Sequence, residues 1–241
     1  MVNEQNGEII LDNSVRVTPI INYFCKKCKK NLPRNQSCFD CGSLKYEVII
    51  NLGYYTPRWY KQKDAFLDPS IRKTSDLQKV NPKYRFCKLI NDAKERYTEN
   101  TVSDKKSLIK LLCNGFIWKV KKYDSWILKG IDFIIHVPKK NENPQKDETD
   151  RSLFNHGYYY ALFIADGLGI TFNQKILKED KESRKSNRLF SIINLNKIQN
   201  KNIMIIDDVY TNGHTKGRIS SLLMKMGANK VYIGVIARTI A

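Results

Sequence analysis

The segment Asn202 to Thr215, NIMIIDDVYTNGHT, constrains the fold of this chain more than any other part of it. Its apolar start, Ile203 to Ile206, is typical of a buried central strand in a parallel sheet. Two adjacent acids follow, then a loop of small and hydroxyl residues, then a helical pattern that stops at Gly227. The next apolar run, Val231 to Ala237, indicates another strand. This order predicts an α/β fold with a central, mostly parallel sheet flanked by helices.

The loop after the first of these strands predicts a phosphate site. Ligands of open α/β sheets bind beyond the carboxyl ends of the strands, and a helix N-terminus there offers N–H groups and a positive dipole end. Gly213 lets the backbone come close, while Thr211 and Thr215 add hydroxyl donors. Asp207 and Asp208 would repel phosphate, so they suit sugar hydroxyls, directly or through Mg²⁺. The pattern indicates a phosphorylated sugar; a plain acidic turn is the structural alternative.

The residues IIDDVYTNGHT resemble the phosphoribosyl pyrophosphate (PRPP) signature of type I phosphoribosyltransferases, which has two acids, two variable residues and Thr-Thr-Gly-x-Thr. Asn212 stands at the second Thr, and His214 stands where the family usually has a small residue. The resemblance implies a type I phosphoribosyltransferase fold in which Asp207 and Asp208 are catalytic residues that hold the ribose hydroxyls. It also implies that the 5′-phosphate is bound by the loop residues Thr211, Asn212, Gly213, His214 and Thr215.

A second apolar run, Ile131 to Val137, ends at Pro138, Lys139 and Lys140. In the family, a loop at the end of the first strand of the sheet holds the diphosphate. The resemblance therefore implies that these three residues contact the diphosphate, with the lysines adding charge-assisted hydrogen bonds. A lysine pair at a sheet edge is the structural alternative.

The segment 170–200 is basic and polar. In phosphoribosyltransferases the corresponding region commonly carries a mobile loop that closes over the diphosphate, and Arg184 would then stabilise the leaving group. A solvated charged linker would have the same composition, and the sequence does not separate the two interpretations.

Four of the six cysteines form two C-x₂-C pairs: Cys25, Cys28, Cys38 and Cys41. Each pair can bind a metal with both thiolates, and two pairs complete a tetrahedron with no open position, which predicts a structural Zn²⁺ site. A redox-active pair is the alternative, but redox motifs rarely come as two pairs at this spacing. The other two, Cys87 and Cys113, lie in apolar helical stretches.

The 241 residues suffice for one α/β domain beside a small module. We predict an N-terminal strand or arm with a zinc ribbon over 1–45, and a phosphoribosyltransferase-like domain over 46–241 whose signature region is 131–241. No apolar stretch reaches the roughly 18 residues of a membrane span, so we expect a cytoplasmic protein without membrane insertion. The net charge of +18 favours nucleic acid or phosphorylated ligands, but the lysine-rich composition of an AT-rich genome explains it equally well.

Patterns elsewhere predict further elements. The first residues, 1–21, alternate weakly and indicate a strand or an extended arm, and Ser103 suits the N-cap of a helix. A polar linker or irregular insert is expected over 56–82. The remaining elements are a strand over 46–55 and helices over 83–99, 104–122 and 154–168.

A four-cysteine ribbon ahead of such a domain resembles the ComF-type competence proteins, whose closing strand is similar to GANKVYIGVIARTI. The resemblance implies Mg²⁺-dependent transfer of phosphoribosyl from PRPP to an acceptor that the sequence does not identify. The alternative is a non-catalytic module that binds single-stranded DNA and acts together with competence or DNA-processing proteins. In that case the PRPP site would serve as a sensor or as a phosphate-binding site.

Overall fold

The structure is a computed structural model, and it describes residues 2–11, 15–19, 23–24, 31–32, 49–56, 61–62, 65, 67, 76–94, 101–140, 142, 154–180, 182, 188–211 and 213–239. Several predicted site residues lie outside these ranges: Cys25, Cys28, Cys38, Cys41, Arg184 and Asn212.

A five-stranded parallel sheet forms the centre of the fold. Its order is β6-β12-β11-β7-β8, so β6 and β8 are its edges. The strands are β6 (Ile49–Tyr55), β7 (Phe133–His136), β8 (Thr171–Phe172), β11 (Asn202–Tyr210) and β12 (Lys230–Thr239). The predicted α/β fold with a mostly parallel central sheet is confirmed.

Helices cover both faces of this sheet. Because alternate residues of a strand point to opposite faces, Met204 and Ile206 of β11 pack with three of the helices, while Ile203 and Ile205 pack with α5. The helices on the first face are α1 (Pro82–Ala93), α2 (Val102–Tyr123) and α4 (His156–Leu168), and α5 spans His214–Lys225. The short helix α3 (Ser125–Leu128) follows α2 directly.

The N-terminal residues form strands rather than an extended arm. Three short antiparallel strands pair in sequence: β1 (Asn3–Gln5), β2 (Glu8–Ile10) and β3 (Arg16–Val17). Ile9 and Leu11 are buried in the same core as α1, α2 and α4. A second antiparallel pair, β4 (Tyr23–Phe24) and β5 (Asn31–Leu32), lies on either side of the first two cysteines in the sequence.

The segment 170–200 holds more order than a charged linker would. The strands β9 (Leu177–Glu179) and β10 (Phe190–Ile192) pair antiparallel beside the α5 face of the sheet. Ile176 and Leu177 are buried in the core on that face, which fixes the start of this pair. Among the described residues, no helix combines the length and apolar character that crossing a bilayer requires.

Helix ends differ from the predicted ones because capping contacts decide them. α2 begins at Val102 and not at 104, because Thr101, rather than Ser103, is its N-cap. The Thr101 hydroxyl accepts the Asp104 N–H at 3.1 Å, and the Asp104 carboxylate accepts the Thr101 N–H at 2.9 Å. This reciprocal pair is a capping box. α4 likewise begins at His156, capped by Asn155, and α1 ends at Ala93.

We expect Thr101→Ala to lower the free energy of unfolding by about 1 kcal/mol, because it removes the hydroxyl that accepts the Asp104 N–H. Urea unfolding followed by circular dichroism measures this difference. Ser103→Ala is the matched control, since Ser103 is exposed and is not the N-cap, and it should leave the midpoint unchanged. An equal loss in both variants would contradict the assignment of the cap.

Two buried ion pairs lie within the helices. Lys119 and Asp124 meet at 2.5 Å with side-chain exposures of 2% and 0%. Lys88 and Asp92 meet at 2.5 Å within α1. Each charge is compensated inside the protein, so breaking one partner would leave the other charge buried.

Candidate functional site

The acidic pair lies near the carboxyl end of β11, in the middle of the sheet. Asp207 is half-buried and Asp208 is buried. β7 and β12 flank this strand in parallel, so the ends of three strands meet here. The carboxyl edge of a parallel sheet is where ligands of such folds bind.

Two lysines and a histidine, each in or next to a different helix, converge on the two acids. Lys94, the C-cap of α1, reaches Asp208 Oδ2 at 2.8 Å, and His156, the first residue of α4, reaches the same oxygen at 2.7 Å. Lys216 of α5 pairs with Asp207 and donates to the Val209 carbonyl at 2.9 Å. The acidic pair is therefore electrically compensated by the protein, and Lys94, His156 and Lys216 form what we call the cation brace.

The cation brace changes the acidity of Asp208. Burial alone would raise the pKa of this carboxyl, but the charges of Lys94, His156 and Lys216 outweigh burial and hold the pKa well below its usual range. Asp208 is therefore ionised near neutral pH and accepts hydrogen bonds without donating any.

A pH dependence of stability follows from this lowered pKa. The stability that ionised Asp208 contributes should be present above about pH 4, the ordinary aspartate pKa, and should be lost as pH falls through the lower folded-state pKa. Urea unfolding of the wild type and Asp208→Asn at about pH 7, 5 and 3 measures it, and the gap between them should stay constant from pH 7 to 5 and begin to narrow only at pH 3, below the ordinary aspartate pKa. Asp166→Asn, at an exposed acid of α4, is the control. A gap that already narrows between about pH 7 and 5 would contradict the origin of the effect.

In the loop between β11 and α5, the backbone passes close to the side chain of Tyr210. Gly213 adopts φ +74° as the N-cap of α5, and a Cβ atom there would lie 2.3 Å from the Tyr210 hydroxyl. Only glycine fits this position without strain. His214 is exposed and Thr215 half-buried at the first turn of α5, and Thr211 is exposed just after β11. The residues predicted to bind the 5′-phosphate, as far as the structure describes them, therefore lie at or next to one helix N-terminus.

The loop after β7 binds two carboxylates through its backbone. The Lys139 N–H donates to Glu142 Oε2 at 2.9 Å, and the Lys140 N–H donates to Glu179 Oε2 at 3.1 Å. Arg188 pairs with Glu179 at 2.5 Å, while the Lys139 ammonium donates to the Phe154 carbonyl at 3.0 Å. The two N–H groups expected to face a diphosphate thus hold carboxylate oxygens, which are chemically similar anions.

Glu142 also connects this loop to α4. It accepts from Asn155 Nδ2 and lies 2.7 Å from His136 Nε2. Burial would raise the pKa of Glu142, but His136 and the bonds from Lys139 and Asn155 lower it overall. The start of α4 and the end of β7 are therefore held together beside the acids.

A buried tyrosine completes the wall of the site. Tyr160 of α4 is fully buried, and its hydroxyl has no hydrogen-bond partner among the described residues. Burial raises the pKa of Tyr160 well above its usual range, and the negative charge of Asp208 adds to the effect. Tyr160 is therefore a neutral hydroxyl.

The structure thus brings together Asp207, Asp208, Gly213, His214 and Thr215, with Pro138, Lys139 and Lys140 at the end of the neighbouring strand. The sequence analysis missed Lys94, Lys216 and the role of His156. Lys216 had a signal, since it occupies the buried face of the α5 pattern, where an apolar residue is expected. Lys94 had none, because it precedes the acids by more than a hundred positions in the sequence.

Three side chains at the acidic pair could bind a metal ion. Ligand atoms of His156, Asp207 and Asp208 lie within 4.8 Å of one another. Carboxylate oxygens suit a hard cation such as Mg²⁺. The arrangement is therefore a candidate acidic metal site within a parallel α/β fold.

The fold and the site together define a parallel α/β protein. Its acidic pair and the N-terminus of α5, which is capped by Gly213, lie at the same edge of the sheet. Solved structures similar to this chain include an adenine phosphoribosyltransferase from Saccharomyces cerevisiae (15% identity, 56% of this chain and 70% of that one, TM-score 0.39). A purine phosphoribosyltransferase from Pyrococcus horikoshii matches at 17% identity over 55% of this chain and 86% of that one, with TM-score 0.35.

A glutamine PRPP amidotransferase from B. subtilis matches at 16% identity and TM-score 0.39, over 55% of this chain but only 26% of its own length. No family's sequence profile matches the chain, and no curated protein matches it in sequence.

Proposed function

We propose that this protein is a ComF-like phosphoribosyltransferase that binds PRPP with Mg²⁺ and transfers its phosphoribosyl group to an acceptor still to be identified. One observation carries the proposal. Asp207 and Asp208 lie near the carboxyl end of a central parallel strand, and Gly213, in the left-handed conformation, is the N-cap of the following helix at the same sheet edge. Acids for sugar hydroxyls and a helix N-terminus for a phosphate thus lie within one short segment.

The residues of this segment have separate tasks. Asp207 and Asp208 would accept hydrogen bonds from the two ribose hydroxyls, because ionised carboxylates are acceptors only. Thr211, Gly213 and Thr215 would hold the 5′-phosphate through hydroxyl and backbone donors, with Asn212 and His214 in the same loop. Ribose and phosphate would therefore be fixed at opposite ends of one loop.

The carboxylates fit Mg²⁺ by their chemistry, but the cation brace already compensates them. A divalent cation would enter most readily together with the diphosphate of PRPP, whose negative charges offset those of Lys94 and Lys216. Asp207 and Asp208 would hold the ion, and the ion would neutralise the leaving diphosphate when bound.

Transfer breaks the bond between the anomeric carbon and the diphosphate oxygen, and the electron pair leaves with pyrophosphate. The lone pair of the acceptor forms the new bond at the anomeric carbon, and the acceptor loses a proton to solvent. The protein fixes the ribose and stabilises the charge that develops on the leaving group. Pro138, Lys139, Lys140 and Arg184 would face this leaving group, with the lysines and the arginine supplying positive charge.

A zinc ribbon belongs to the same proposal. Cys25, Cys28, Cys38 and Cys41 would hold one structural Zn²⁺. The pairing of β4 with β5 around the first C-x₂-C supports it, because such knuckles are commonly built on short antiparallel strands. Metal analysis of the purified protein should return about one zinc per chain, and the Cys25→Ser/Cys28→Ser variant should return none.

Calorimetric titration with PRPP tests the main proposal. We expect saturable binding of about one PRPP per chain that weakens at least about tenfold when Mg²⁺ is left out of the buffer. Ribose 5-phosphate is the matched control ligand, because it lacks the diphosphate and should bind with little dependence on Mg²⁺. Absence of PRPP binding by the zinc-loaded protein would overturn the proposal.

Binding of single-stranded DNA is the second candidate, favoured by the net charge of +18. In that case the protein would act with DNA-processing partners, and the affinity for an oligonucleotide should fall steeply with salt as counterions are released. Asp207→Asn should leave this affinity intact. An oligonucleotide affinity that is negligible even at low salt would exclude this candidate.

A further inference from the structure

A cavity lies at the same carboxyl edge of the sheet, away from Asp207 and Asp208. It has a volume of about 640 Å³, within the range of small-molecule sites. We call it the α1 cleft, because the first turn of α1 forms one wall. Its lining comes from β2, β3, β6 and α1: Glu8, Arg16, Val17, Thr18, Tyr54, Pro82, Lys83, Arg85 and Phe86.

The walls of the α1 cleft pack closely where they meet. Gly53 of β6 allows close packing, because a Cβ there would lie 2.4 Å from Val17 and 3.0 Å from Phe86. Arg238 of β12 pairs with Tyr54 in β6 and with Tyr210 in β11, so the cleft opens at the carboxyl edge. Parallel sheets bind ligands at this edge.

The charges of the α1 cleft favour an anion. Three cations, Arg16, Lys83 and Arg85, line the cleft together with one carboxylate, Glu8, which lies 3.9 Å from Arg16. Arg85 is oriented by the carbonyls of two residues just before α1, at 3.0 and 3.1 Å. The helix itself adds little, since the Asn81 side chain already accepts the Lys83 N–H. Side chains, not helix amides, therefore create the positive field.

The cleft also offers an aromatic surface. Tyr54 is 47% exposed at the end of β6, while Phe86 is buried beneath the cleft. An exposed tyrosine ring beside cations is a suitable platform for a flat base, because bases stack on aromatic faces while their phosphates meet Arg and Lys.

We propose that the α1 cleft binds a nucleoside phosphate, with the base on Tyr54 and the phosphate between Arg16 and Lys83. This site is distinct from the acidic pair. α1 has 12 residues and is therefore about 18 Å long, with the cleft at its first turn and Lys94 just beyond its last. The proposal does not depend on PRPP binding, since none of its residues touches Asp207 or Asp208 in the contacts described above.

Titration of the full-length protein with AMP tests the proposal. Loss of stacking in Tyr54→Ala should weaken AMP binding about tenfold or more, and Lys83→Ser should weaken it several-fold. Lys110→Ser, at an exposed lysine of α2, is the matched control and should bind AMP like the wild type. Adenosine should bind more weakly than AMP, because it lacks the phosphate.

Asp207→Asn separates this site from the acidic pair. AMP binding that survives in Asp207→Asn and falls in Tyr54→Ala supports the α1 cleft, whether or not PRPP binds. AMP binding that is lost in Asp207→Asn and unchanged in Tyr54→Ala would overturn the proposal, as would no AMP binding at all. A short oligothymidine that binds more tightly than AMP, and is equally sensitive to Tyr54→Ala, would support the site and identify a nucleic acid strand as the source of the nucleotide.

Discussion

PRPP binding is expected to weaken about 10- to 100-fold in Asp207→Asn, the range that corresponds to one charged hydrogen bond. The asparagine keeps the shape of the side chain but removes the negative charge that would accept the ribose hydroxyl and attract Mg²⁺. It also leaves Lys216, which pairs with Asp207 and donates to Val209, with one compensating contact fewer. Calorimetry at saturating Mg²⁺ gives the ratio of dissociation constants.

Two further variants are compared with Asp207→Asn. Asp208→Asn should weaken binding by a similar factor, while Asp166→Asn, at an exposed position of α4, should not change it. Circular dichroism must show that each variant is folded, because the cation brace also contributes to stability. A folded Asp207→Asn protein with wild-type affinity would remove these acids from the PRPP site and leave the second candidate function.

The largest stability effect is expected at the Lys119–Asp124 pair, which joins the last turns of α2 to the start of α3. Asp124→Leu should lower the free energy of unfolding by about 3–5 kcal/mol, because it leaves the Lys119 ammonium buried without its carboxylate. The cause is desolvation of an unpaired charge rather than loss of attraction alone. Urea unfolding at neutral pH measures the difference.

A double variant separates these two causes. Lys119→Met/Asp124→Leu should recover most of the lost stability, because an apolar pair of similar volume often replaces a buried ion pair at little cost. Lys121→Ala, at an exposed lysine in the same helical turn, is the control and should change stability by less than about 0.5 kcal/mol. A double variant as unstable as Asp124→Leu would mean that packing, not charge, dominates at this position.

The main sheet was largely predictable because its strands are local patterns. Ile203 to Ile206 and Ile131 to Val137 are apolar runs whose length and boundaries are set by neighbouring residues in the sequence. The end of α4 was predictable for the same reason, since Gly169 adopts the left-handed conformation of a C-cap.

The cation brace was not predictable, because it depends on how distant helices pack. Lys94 and Lys216 meet the acids only after the end of α1 and the first turn of α5 come together at the carboxyl end of β11. In the sequence Lys94 is an ordinary lysine in a lysine-rich chain, and Lys216 differs from the others only by its position on the apolar face of α5. The start of α2 was missed for a smaller reason: Thr101 and Ser103 are both good N-caps, and only the bond from Asp104 distinguishes them.

The loop after β7 carries its own anions, Glu142 and Glu179, on the amides of Lys139 and Lys140. A diphosphate at this loop would bind by exchange, not by addition, because each new bond replaces one already made to a carboxylate. The measured affinity would then be a small difference between two similar sets of bonds. An anion with a single acidic group would displace at most one of the two carboxylates, so the loop would discriminate by the number of phosphates instead of by charge alone.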